Sequence, residues 1–288
     1  MTPILYPPSR PQSVGEVLDT GFRIFTASLV KCLPYAALAV VSGQLPTLYQ
    51  VAAGRSLLQA AAQQRYRDPV WWLLEVLAIV GTITLSNALL MRQHALATGR
   101  AAATGTELAR GLRLVPGVLL IGLLIVLAVV PSGMLAGFFV GAFRGHASAL
   151  VILLAVLVAL TPAAWLLVRW SCAVTTLVVI GRPALESMSH SWRLTAGSLW
   201  RLSVIYTVAI ILIVVLYVLS GIVSGIVSLL IARGDIAVFT ATAAAIVVLL
   251  GAIATPFYSA LALAVLGDLS VRKEGGDLAQ RIAAPAMQ

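Results

Sequence analysis

Long apolar runs alternate along the chain with short polar stretches, and six runs meet the roughly 20 apolar residues that a membrane-crossing helix needs. They cover residues 28–53, 70–96, 115–143, 149–180, 199–232 and 236–266. Lys31, Gln44 and Gln50 interrupt the first. The last three outrun a hydrocarbon core about 30 Å thick at about 1.5 Å per helical residue, so they must tilt, kink or project into water. Pro162 and Pro256 are the expected kink positions. No ten-residue stretches of alternating polarity recur, which argues against a β-barrel. In hydrocarbon a spanning segment must satisfy its own N–H and C=O groups, and continuous apolar runs do so as helices. The pattern predicts an all-α polytopic membrane protein with six transmembrane helices.

A different pattern precedes each odd-numbered run. In 13–27, Val14, Val17, Leu18, Phe22 and Phe25 form a stripe at helical spacing, with Glu16, Asp19, Thr20 and Arg23 off it. Ser13 and Glu16 make a capping box, and Asp19 and Arg23 stand at i,i+4. In 104–116, Leu108, Leu112 and Val115 share a face, with Glu107, Arg110 and Arg113 off it. In 183–197 the line is Leu185, Met188, Trp192 and Ala196, opened by Pro183. All three carry a small–apolar–Arg triplet: Gly21-Phe22-Arg23, Gly111-Leu112-Arg113 and Ser191-Trp192-Arg193. The expected architecture is three helical hairpins, over 13–98, 104–180 and 183–268, each led by an amphipathic helix at the cytoplasmic headgroups. Residues 1–12 form an extended arm, 13–270 a single membrane domain and 271–288 a cytoplasmic tail.

Composition agrees: 60% of residues are apolar and 10% charged, with a mean hydropathy of +1.02. Soluble domains run nearer 45–50% and about 25%. The net charge of +9 matters through its distribution. With both termini inside, fourteen basic residues face the cytosol: Arg10, Arg23, Lys31, Arg92, Arg100, Arg110, Arg113, Arg169, Arg182, Arg193, Arg201, Arg272, Lys273 and Arg281. Five face outward: Arg55, Arg65, Arg67, Arg144 and Arg233. This bias predicts a bacterial inner membrane protein with both ends cytoplasmic. Basic and aromatic residues do not interleave on one polar face, so nucleic acid is not an expected partner. Cys32 and Cys172 lack metal-type spacing. The Pro-rich start has no basic-then-apolar leader pattern, so the arm is expected to be retained.

Few residues offer chemistry. Glu75 lies inside the second span, below Trp71 and Trp72. It reads either as a proton or cation relay or as an interfacial carboxylate paired with Arg65 or Arg67. Arg169 either snorkels to the headgroups or is buried against an acid such as Asp268, Asp19 or Glu186. Asn87, with Ser86, reads as interhelical packing. Asp268, with Arg272, Lys273, Glu274 and Asp277, reads as a cap bonded to Arg23 or Arg193, or as a docking surface. Gly133, Gly137 and Gly141 recur every four residues, as do Gly221 with Gly225 and Ser220, Ser224 and Ser228. That spacing suits close helix contact within the bundle, or between copies in a homo-oligomer. His94, His146 and His190 do not converge, and no hydrolase or metalloprotease motif occurs. No catalytic set, metal or cofactor is expected.

Three segments carry a family resemblance. They are Ser13-Val14-Gly15-Glu16-Val17-Leu18-Asp19-Thr20-Gly21-Phe22-Arg23-Ile24-Phe25, Ala184-Leu185-Glu186-Ser187-Met188-Ser189-His190-Ser191-Trp192-Arg193-Leu194, and Gly267-Asp268-Leu269-Ser270-Val271-Arg272-Lys273-Glu274-Gly275-Gly276-Asp277-Leu278. Together they resemble the bacterial glycerophosphoryl diester phosphodiesterase membrane-domain family. Where that family has aromatics before the aspartate, this chain has Val265-Leu266-Gly267. The family's catalytic part is a separate soluble barrel of about 250 residues, so the resemblance implies the membrane part without the enzyme. The expected role is non-enzymatic, organising lipid or a protein partner at the cytoplasmic face. The alternative is a transporter or lipid-translocating protein using Glu75 and Arg169.

Overall fold

A computed structural model describes residues 5–53, 68–101, 103–144, 148–231 and 236–275. Its regular elements are all helical: α1 (Val14–Gly43), α2 (Leu45–Ala52), α3 (Pro69–Ala97), α4 (Thr104–Arg113), α5 (Val115–Phe143), α6 (Ala149–Arg169), α7 (Ala173–Thr175), a π-helical turn (Thr176–Ile180), α8 (Ala184–Thr195), α9 (Leu199–Ile231) and α10 (Ile236–Glu274). Six helices are long and apolar enough to cross a membrane, as a multi-pass membrane protein requires. Helices α1, α3 and α10 form the packed centre, where Val17, Ile24, Leu89, Leu261 and Leu266 are fully enclosed. Helices α5, α6 and α9 instead carry large apolar side chains on their outer surfaces, among them Leu127, Val158 and Leu212. Such side chains are stable outward only where the solvent is hydrocarbon.

Element boundaries depart from expectation in four places, one being the first span, expected over 28–53, which breaks after Gly43 and resumes as α2. The lead segment and the first span are one helix, α1, because nothing between Thr26 and Leu29 breaks it. It starts at the expected capping box: the Ser13 hydroxyl accepts from the Glu16 N–H at 3.3 Å, and Glu16 accepts from the Ser13 N–H at 2.7 Å. Asp19 and Arg23, expected to pair along it, form no ion pair. The fourth span is not continuous, since α6 stops at Arg169 and the chain resumes through α7 and the π turn to Gly181 at φ +83°. The last helix runs past residue 266 to Glu274, and Gly275 turns away at φ +61°. Pro131, Pro162 and Pro256 all stay inside their helices.

The N-terminal arm is docked on the ends of two spans. Leu5 and Tyr6 donate backbone N–H bonds to the Ala97 carbonyl at 2.9 and 3.2 Å. The Tyr6 ring meets His94 edge-on at 5.1 Å and fills the space where Gly267 lacks a side chain. Burial first, with a smaller effect of charge at Cys172 and Glu274, pushes the Tyr6 hydroxyl up to about 12.

Candidate functional site

The three triplets occupy one kind of environment. Gly21, Gly111 and Ser191 are buried, whereas the apolar and arginine residues that follow each are exposed. Phe22, Leu112 and Trp192 expose 53, 53 and 36% of their surface. Each small residue touches an even-numbered span. A Cβ on Gly21 would stand 3.2 Å from the Leu261 Cα, and one on Gly111 would stand 2.6 Å from the Thr84 carbonyl oxygen. Ser191 donates to the Arg169 carbonyl at 2.8 Å and accepts from the Cys172 N–H at 3.2 Å.

The neighbouring contacts give the direction of packing. Gln12 meets Asp268, Gly21 meets Leu261, and Phe25 meets Phe257. Glu107 meets Arg92, and Gly111 meets Thr84 and Ala88. Ser187 bonds the Arg182 carbonyl, and Ser191 and Thr195 bond that of Arg169. Every lead segment therefore runs back antiparallel along the end of an even-numbered span, and the first of them uses the last span.

In the first segment the stripe residues Val17 and Phe25 are buried, whereas in the other two the buried face lies mostly off the apolar stripe. In α8 the inward residues are Ala184, Ser187, Met188, Ser191 and Thr195, while Leu185 is 64% exposed. In α4 the inward residues are Glu107 and Gly111. Where the surroundings are hydrocarbon, small and hydrogen-bonding residues gain by facing other helices and large apolar ones lose nothing by facing out.

Polar clusters fasten the segments. Glu107, expected off the apolar stripe, is buried and takes Arg92 through Nε at 2.9 Å and Nη2 at 2.6 Å. Tyr35 donates to it at 2.9 Å, and Arg92 also reaches Thr104 at 2.9 Å. Asp268, only 2% exposed, accepts from the Gln12 N–H at 2.7 Å. It pairs with Arg201 at 2.9 Å and Arg272 at 3.1 Å rather than with Arg23 or Arg193. Both arginines also donate to the Gln12 carbonyl. Nearby, His190 stands 2.7 Å from Glu274. Asp277 and the rest of the tail lie outside the described residues.

Arg169 finds no carboxylate among the described residues. Its guanidinium lies over the Trp192 ring at 4.8 Å and the Trp165 ring at 5.3 Å, and donates to the Trp192 carbonyl at 3.3 Å. Glu75 is half-buried on α3, while Arg65 and Arg67, its expected partners, lie outside the described residues. Arg23, Arg113 and Arg193 form no ion pair among the described residues. Asn87, read as a packing residue, donates to the Gly111 carbonyl at 3.1 Å and so bonds across helices. Cβ atoms built on Gly133, Gly137, Gly141, Gly221 and Gly225 meet nothing within 4 Å among the described residues.

A cavity of about 750 Å³ opens between α3, α5, α6, α7, α9 and α10. Asn87 lines it, and neither Glu75 nor Arg169 does. Ala164, Leu167, Val168 and Ser171 supply one wall, and at about 3.6 residues per turn Trp165 and Arg169 point to the opposite side of α6. The wall continues through Ile125, Thr175, Ser203, Tyr206, Ile210, Ile213, Thr255 and Ser259. A smaller hollow of about 250 Å³ is bordered by His94, Arg100, Glu107 and Arg110. The chief omissions of the sequence reading are Arg92, Glu107 and Tyr206. Glu107 could have been found, since it and Arg92 are oppositely charged residues flanking one short connection. Nothing in the local pattern marks Tyr206.

Comparison with family models, curated proteins and solved structures finds no match to this chain.

Proposed function

We propose that this is a non-enzymatic inner-membrane protein that organises lipid at the cytoplasmic face, with both termini cytosolic. Three helical hairpins carry amphipathic lead helices, and each helix presents an apolar side chain to the acyl chains and an arginine to headgroup phosphates. The observation that carries this reading is the shared setting of Arg23, Arg113 and Arg193, each exposed and next to an exposed Phe22, Leu112 or Trp192. A basic residue near an anionic leaflet contributes about 1 kcal/mol. Kinship with the glycerophosphoryl diester phosphodiesterase membrane-domain family is proposed on the same footing, from the opening, central and closing segments.

The test is lipid composition around the protein. Extracted in polymer-bounded discs, the wild type is expected to carry a larger anionic phospholipid fraction than the bulk membrane. The triple variant Arg23→Gln/Arg113→Gln/Arg193→Gln should fall back to the bulk value. A wild type indistinguishable from bulk rejects the reading.

The cavity favours a second reading, lipid translocation. Its test is the flip rate of a fluorescent phospholipid in proteoliposomes, and a rate equal to that of empty liposomes removes it.

A further inference from the structure

The cavity wall is largely apolar, with uncharged polar groups at several depths. Asp268 and Arg201 mark one end of the bundle, and on α9 the lining residues Ser203 and Tyr206 lie toward it. Farther along α9 come Ile210 and then Ile213, which at about 1.5 Å per residue lies about 15 Å beyond Ser203. Leu167 on α6 and Ile125 on α5 add apolar wall, while Ser259 and Thr255 on α10 and Asn87 on α3 are polar groups farther from that end. The cavity therefore suits an amphiphile, and its volume falls in the range of about 300–1,000 Å³ typical of small-molecule sites.

The lining also limits the head. It contains no Asp, Glu, Lys, Arg or His, so a phosphate inside it would have no counter-charge and would bear an uncompensated cost of leaving water. It does contain hydroxyls, and one of these lacks a partner: the Tyr206 hydroxyl oxygen is buried with no hydrogen bond among the described residues. A buried phenol both donates and accepts, and a ligand hydroxyl or ester oxygen supplies what it lacks.

We propose that this cavity binds an uncharged, hydroxyl-bearing membrane lipid. Its polar head bonds the Tyr206 hydroxyl near Ser203, and its chain lies along Ile210, Ile213 and Leu167. The site is separate from the arginine-bearing lead helices, and its readout is independent of anionic lipid enrichment, so either reading can fail alone.

The experiment uses the full chain in phosphatidylcholine nanodiscs with two photolabels matched in chain length. One is a long-chain alcohol bearing a diazirine in its chain, and the other is the same chain ending in phosphate. The alcohol is expected to label peptides containing Leu167, Ile210 and Ile213, and the phosphate to leave them unlabelled. Ala164→Trp, which fills the cavity from an exposed position on α6, should abolish that labelling. Tyr206→Phe should reduce it about 5-fold, the value of one hydrogen bond. Equal labelling by both probes overturns the proposal, as does labelling confined to other peptides. Unchanged labelling in Ala164→Trp overturns the location, and unchanged labelling in Tyr206→Phe overturns the choice of head.

Discussion

The hydroxyl of Ser191 sits 2.8 Å from the carbonyl oxygen of Arg169, at the point where the fourth span stops being a helix. The Ser191 hydroxyl donates to that carbonyl and accepts from the Cys172 N–H at 3.2 Å. An interrupted helix in hydrocarbon leaves main-chain groups that no water can satisfy, and here one side chain serves a group on each side of the gap.

Ser191→Ala is therefore expected to lower stability by about 1–3 kcal/mol, the cost of orphaning buried polar groups. Thermal unfolding in detergent gives the shift. Ser191→Gly, the residue found in the other two triplets, separates bonding from size. It should lose at least as much as alanine, and a wild-type midpoint would show that closeness alone matters.

The buried Glu107 and the half-buried Arg92 tie α4 to α3. Glu107→Ala should cost about 1–3 kcal/mol, because it leaves the Arg92 guanidinium and the Tyr35 hydroxyl without their acceptor. The double variant Arg92→Met/Glu107→Leu should recover most of that loss, measured in the same unfolding assay. A double variant as damaged as the single would mean that the charges themselves are required.

Two glycines make a matched comparison. Gly111→Ala places a methyl 2.6 Å from the Thr84 carbonyl oxygen, so α4 must lift from its seat at about 1–3 kcal/mol. Gly137→Ala enters open space and should be neutral or stabilising by up to about 1 kcal/mol, since alanine is the better helix former. Equal destabilisation by both would reveal a contact on α5 made by another molecule.

The docked arm responds to alkali. Tyr6 has an ordinary value of 10.0, pushed up to about 12 in the fold. The fold favours the neutral phenol, so its contribution is intact below pH 10 and declines as pH rises from 10 to 12. Phenolate absorbance of the wild type, compared with Tyr6→Phe, should reveal one late-titrating tyrosine, accompanied by faster hydrogen exchange at residues 5–12. Its absence would place Tyr6 in water.

Helix number and type were legible because hydropathy over 20 residues integrates many side chains; 115–143 was bounded to the residue. What failed was local. The sequence shows Leu185 and Trp192 on one face of a helix, but not that Ser187, Ser191 and Thr195 make the face that packs. The stop at Arg169 carries no glycine or proline. It depends on Ser191 and Thr195, some 20 residues later, which no local pattern reveals. Asp268 was recognised as a cap, yet its partners come from Arg201, four residues along the same helix at Arg272, and the arm at Gln12. That choice is settled by three-dimensional approach.

The seat of Gly21 lies on Leu261, at the far end of the polypeptide. During synthesis the first helix therefore enters the bilayer with its docking groove still unmade, and waits for some 240 residues to follow. Until the ribosome has delivered that final helix, Val17 and Ile24 must rest against lipid or a chaperoning insertase. A truncation before residue 261 loses the partner of the segment that was made first.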